Sequence, residues 1–259
     1  MNRKDTHSTF DTILLEEAEK IIKKADEEGV IIRLMGAIAF RCHCSKYSNF
    51  HEFMDRKLTD IDLASYTSES SRVDRLLRNL GYVTQSYVQV AMATLGRSMY
   101  WKQDNKQVKV DIFWDELKMN HTINFRGRLE LDRPTIPLSE MLQEKLQIVK
   151  LNWKDIKDTV MLLMEHDIAK QCKDQETIDL TPIIKKASND WGYYYTFTTN
   201  IKKIQEKLSE IEVLSNAEKS VVQEKLSKIL EAIEREPKSI GWKMRAKIGP
   251  KKRWYNEVE

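Results

Sequence analysis

At 259 residues, with 41% hydrophobic and 32% charged side chains and a formal charge of +3, the chain has the make-up of an ordinary soluble globular protein, with core enough for one large domain or two smaller ones. No apolar run approaches the roughly 20 residues that cross a bilayer, and the polar residues 1–8 lack the apolar core of a secretory signal. The three cysteines, Cys42, Cys44 and Cys172, argue against a disulfide framework and make a reducing cytoplasm the expected location.

From the N-terminus, residues 10–28 predict an amphipathic helix: Ile13, Leu14, Ala18, Ile21 and Ile22 recur at helical spacing, and Gly29 is the stop. The β-prone run 30–35 leads into Gly36-Ala37, and 37–44 reads as a short helix. A strand, a glycine turn and a helix start present backbone N–H groups and a positive dipole end, where a phosphate can sit. Cys42-His43-Cys44 sets three zinc-type ligands side by side without a second cluster, so it reads as part of that helix. A polar loop follows over 45–57. Within 58–64, Asp60 and Asp62 stand one residue apart on an extended segment and point to the same side. Leu58, Ile61 and Leu63 suit burial of the other face. Two like charges so placed repel. Either they mark an acidic strand end in water, or a hard cation such as Mg²⁺ lies between them, shared with phosphate oxygens.

Residues 71–80 predict a second helix with Val73, Leu76, Leu77 and Leu80 on one side and Gly81 after it. Strands are predicted over about 82–90, 98–102 and 107–113, with Asp104-Asn105 turning between the last two. The third strand carries a lone carboxylate, Asp111, amid apolar neighbours. By itself Asp111 is a polar face residue. With the glycine turn and the paired aspartates it completes a set of three carboxylates beside a phosphate cradle, the parts that two-metal phosphoryl chemistry needs. Another strand is predicted within 121–131, where Arg126 and Arg128 suit triphosphate oxygens, an acidic acceptor or plain surface charge, and His121 either a proton shuttle or a hydrogen-bonded structural role.

After Pro134 and Pro137 the pattern becomes helical, over 138–149, 152–165, about 176–189, 196–212 and 216–235, with no strand. Asn152 is placed to cap the second of these, with Asp155 in its first turn. Lys145 flanks the stripe Leu138, Leu142, Leu146 and Val149, where a lysine either snorkels or reaches a phosphate. The expected fold class is α+β: a small mixed sheet flanked by helices over 1–137, a helical portion over 138–235 packed on it, and a basic aromatic tail over 236–259. Seven cations and three glutamates give the tail +4, leaving −1 for the other 235 residues. Trp242, Trp254 and Tyr255 lie among the cations. That mixture suits phosphate contacts with base stacking, or tryptophans docked on the body with solvated lysines.

These segments resemble the nucleotidyltransferase superfamily of the DNA polymerase β type, and within it the AbiEii-like toxin nucleotidyltransferases and related uncharacterised prokaryotic proteins. The resemblance rests on Arg33-Leu34-Met35-Gly36-Ala37-Ile38-Ala39-Phe40-Arg41, Thr59-Asp60-Ile61-Asp62-Leu63 and Val108-Lys109-Val110-Asp111-Ile112-Phe113. It extends through Leu142-Gln143-Glu144-Lys145-Leu146-Gln147 and Lys154-Asp155-Ile156-Lys157-Asp158 to the segment from Glu236 to Tyr255. It implies that Asp60 and Asp62 bind Mg²⁺ (or Mn²⁺) bridging a nucleoside triphosphate. Asp111 is then the third catalytic ligand, which helps deprotonate the acceptor hydroxyl. It further implies that Gly36 and the Ala37 N–H hold the terminal phosphates, with Lys145 and Arg41 in the same nucleotide pocket. The activity implied is transfer of a nucleoside monophosphate to RNA, a protein or a small molecule with release of pyrophosphate; the alternative is an inactive binding or regulatory member. A toxin of this kind implies an antitoxin partner, and no membrane is involved. Two features depart from the pattern: Ala37 stands where the superfamily commonly has serine, and the stretch from Gly36 to Asp60 is longer than in compact members.

Overall fold

The computed structural model describes residues 3–44, 57–93 and 95–258; apart from Lys57, the loop expected over 45–57 lies outside them. The described chain divides into two compact units: 3–44, 57–93, 95–118 and 123–137 form the first, and 119–122 with 138–258 the second. No helix among the described residues is long and apolar enough to cross a membrane.

In the first unit, α1 (Arg3–Glu28) leads to β1 (Ile32–Met35), α2 (Gly36–His43) and β2 (Ile61–Ser65). Then come α3 (Ser70–Asn79), β3 (Tyr82–Val83), α4 (Ser86–Ala93), β4 (Arg97–Lys102) and β5 (Lys109–Trp114), followed by the short strands β6 (Glu116–Lys118) and β7 (Thr122–Asn124). Leu14, Ala18, Ile21 and Ala25 form the buried stripe of α1, which packs on β1 and α3. The sheet runs β1-β2-β5-β4-β3. Only β2 and β5 are parallel; the other pairs are antiparallel. Because strand side chains alternate, Leu34, Ile61, Leu63, Val110 and Ile112 share one face, and all five are buried. Asp62 and Asp111, which are register partners, share the other face.

Two local expectations change here. Over 82–90 the strand stops at Val83 and α4 takes its place. Val88 and Val90 satisfy a period of two within a window too short to exclude a helix; packing on β4 decides the outcome. The β4–β5 connection, residues 103–108, contains Asp104-Asn105 as expected. Asn105 opens the turn by accepting the Gln107 N–H on Oδ1 (3.2 Å) and the Val108 N–H on its carbonyl (2.9 Å). The strand predicted within 121–131 is confined to β7.

The second unit is helical: α5 (Leu138–Leu146), α6 (Trp153–Glu165), α7 (Thr181–Asn189), α8 (Trp191–Lys207), α9 (Asn216–Arg235) and α10 (Ile240–Ile248). It also holds two strands absent from the sequence reading, β8 (Asp167–Ala169) and β9 (Thr177–Asp179), paired in parallel. At three residues each they are too short to leave a periodic signal. The protein is therefore α+β, a small mixed sheet flanked by helices followed by a helical C-terminal portion.

Candidate functional site

The sheet register assembles the acidic site. Asp62 of β2 lies opposite Asp111 of β5, and Asp60, two residues before Asp62, sits just ahead of the strand. One carboxylate oxygen from each of Asp60, Asp62 and Asp111 lies within 4.8 Å of the others. Thr59 orients the outermost of them, its hydroxyl donating to Asp60 Oδ1 at 2.7 Å.

Gly36 links this cluster to the start of α2. Its φ of +64° lies in the left-handed region, and a Cβ there would stand 2.3 Å from Asp62 Oδ2. The glycine thus answers two demands at once, the backbone angle and the space that the carboxylate fills. Met35, the residue before the helix, is extended and supplies no side-chain cap to the first turn. The N-terminus of α2 is the positive end of its helix dipole, the end that favours an anion.

Asp111 is 4% exposed. Arg97 of β4 donates through Nη2 to Asp111 Oδ2, and its guanidinium lies 4.8 Å from the Phe113 ring centroid. Asp111 Oδ1 is buried with no hydrogen-bond partner. Burial pushes the Asp111 pKa above the usual carboxylate range; Arg97 opposes the rise and the charge of Asp60 adds to it. Three hard oxygen donors, one of them buried and unpaired, are the donor set that Mg²⁺ or Mn²⁺ takes. A cation there would relieve both the repulsion and the orphaned oxygen.

The other predicted residues have partners of their own. Arg41 donates through Nη2 to Asp11 Oδ2 of α1, while Asp11 Oδ1 accepts the Leu58 N–H. Lys145 belongs to the second unit, where Glu144 Oε1 lies 2.8 Å and Asp158 Oδ2 3.3 Å from its ammonium. Burial would lower its pKa, but those carboxylates outweigh burial and raise it. Arg126 is exposed, 3.9 Å from Asp115. Sequence reasoning missed Arg97. The register pairs Met99 with Asp111 and sets Arg97 two positions along the same face, and no local pattern carries that information.

No family model and no curated protein matches the chain. Among solved structures, the solution structure of the antibiotic-resistance factor ANT(2'')-Ia is similar at a TM-score of 0.38 and 14% identity, over 58% of this chain and 83% of that one.

Proposed function

We propose that the first unit is a metal-dependent nucleotidyltransferase, moving a nucleoside monophosphate from a nucleoside triphosphate to a hydroxyl acceptor with release of pyrophosphate. The convergence of Asp60, Asp62 and Asp111 within 4.8 Å, against the glycine that opens α2, carries this reading. In the proposal, all three carboxylates hold Mg²⁺ or Mn²⁺: Asp62 from β2, Asp60 from just ahead of it and Asp111 from β5. The chemistry such ions supply is neutralisation of triphosphate oxygens and polarisation of the attacking oxygen. Asp111, with its pKa raised by burial, is the group suited to take the acceptor proton. Gly36 and the Ala37 N–H receive the terminal phosphates at the helix start. RNA, a protein and a small molecule all remain acceptor classes for this chemistry, and an antitoxin a partner if the chain acts as a toxin.

One observation favours a second reading, a protein of this kind kept for binding or regulation: Arg97 already places a cation on Asp111. Calorimetric titration of each nucleoside triphosphate separates the two, with and without Mg²⁺, into wild type and an Asp60→Asn/Asp62→Asn variant. Metal-dependent binding that the variant loses is expected of the enzyme. If a folded wild type binds no triphosphate, the enzyme reading is lost and the second stands.

A further inference from the structure

The second unit contains a polar cleft of about 370 Å³ that the acidic site does not involve, lined by His121, Lys186, Asp190, Arg245, Arg253 and Tyr255 among others. Docking of the C-terminal tail builds it. Trp254 donates its indole N–H to Thr196 Oγ1 at 2.9 Å, and the Trp254 carbonyl lies 2.4 Å from where a Cβ on Gly192 would be. The Asn256 N–H donates to the Asn120 carbonyl at 2.9 Å. These contacts hold the tail cations beside α7 and α8 rather than in free solution.

His121 is 4% exposed, with Nε2 placed 2.8 Å from Thr196 Oγ1. That hydroxyl also accepts the Trp254 indole N–H. The other ring nitrogen, Nδ1, has no hydrogen-bond partner among the described residues. Burial drives the His121 pKa down to about 4, with Asp190 opposing and Lys186 reinforcing the shift, so the ring is neutral at pH 7.

The charges around it leave a positive surplus. Asp190 is partly committed, accepting the Tyr193 N–H on Oδ1 at 3.0 Å and lying 3.4 Å from Lys186. Arg245 is anchored by the carbonyls of Gly249 and Lys252, each 2.7 Å away, which fix its direction without cancelling its charge. Arg253 pairs with Glu257 where both are exposed, a contact that solvent screens. An anchored guanidinium, with a second guanidinium and an ammonium beside a buried imidazole, selects an oxyanion.

We propose that this cleft binds a phosphate group, carried either by a free phosphate ester or by a nucleic-acid strand. The inference is independent of the acidic site, since none of Asp60, Asp62, Asp111 or Gly36 takes part. The test is NMR of the histidine rings in the full-length protein during titration with inorganic phosphate, AMP or a single-stranded RNA oligonucleotide. A saturable shift of the His121 resonances is expected, with its apparent pKa moving up as the anion stabilises the imidazolium. The double variant Lys186→Gln/Arg253→Gln leaves the Trp254 anchor and the His121–Thr196 contact in place. Loss of two charge-assisted contacts predicts binding at least about tenfold weaker there. Saturation by phosphate or AMP assigns a free ester; saturation by RNA alone assigns a strand. No response at His121 to any of the three overturns the proposal, as does equal affinity in the double variant.

Discussion

Asp62 and Gly36 cannot vary independently, because the carboxylate of one occupies the side-chain space of the other. Gly36→Ala must accommodate both a left-handed backbone angle and a 2.3 Å collision. A stability loss of about 1–3 kcal/mol is expected from the backbone alone, read from urea midpoints, together with loss of Mn²⁺ binding in calorimetry. Asp111 behaves in the opposite sense. Its folded-state pKa lies above the ordinary 3.8, so folding is favoured by its protonation. That stability is fully present below 3.8 and is lost as pH rises through the elevated folded value. Asp111→Asn removes the loss. In metal-free buffer at pH 7 the variant is expected to melt no lower than wild type while failing to bind triphosphate with metal. A markedly lower melting temperature would show instead that the Arg97 pairing outweighs the burial cost. The acidic residues were legible in the sequence because alternation along a strand is a local property. Arg97 was not, because its position depends on which strands pair.

Among the elements, those defined by local chemistry were readable and those defined by distant partners were not. The Asn152 cap of α6 forms a full capping box with Asp155: Asn152 Oδ1 accepts the N–H groups of Lys154 and Asp155, and Asp155 Oδ2 accepts that of Asn152. Asn152→Ala should cost about 1 kcal/mol in chemical denaturation. Helix α5, by contrast, ends at Leu146 rather than continuing to 149. The buried amide of Asn200, more than fifty residues away, donates to the Leu146 and Ile148 carbonyls at 2.9 and 2.7 Å. Helix α8 starts five residues earlier than its periodicity suggests, capped by Asp190. Gly192, which reads as a breaker, is tolerated because the Trp254 carbonyl fills the space beside it. Gly192→Ala should therefore release the tail. The expected readout is faster tryptic cleavage after Lys251, Lys252 and Arg253, and an unchanged cleavage rate would disprove the docking.

For the molecule as a whole, composition indicated the size class, and chain order suggested the α+β sequence of elements. It could not reveal that 119–122 join the second unit, a placement held by Asn120, whose side chain accepts the Val149 N–H at 2.8 Å and donates to the Asn256 carbonyl at 2.9 Å. Charge is also uneven at this scale, +4 in the last 24 residues against −1 in the rest. Replacing Lys247, Lys251 and Lys252 by Gln should abolish retention on a cation exchanger at neutral pH and low salt. Replacing three lysines of the body, Lys150, Lys154 and Lys157, should leave retention largely intact, because the tail concentrates the field.

The pairing of Asp62 with Asp111 has a consequence for how the chain reaches its fold. A slip of one residue in β2 would turn Asp62 onto the face of Val110 and Ile112, and a slip in β5 would do the same to Asp111. An unpaired carboxylate in that apolar layer costs several kcal/mol. Misaligned sheets are thereby rejected during folding, before any ligand arrives. The acid pair is a proofreader of strand alignment, and a Leu at either position would let misthreaded chains accumulate.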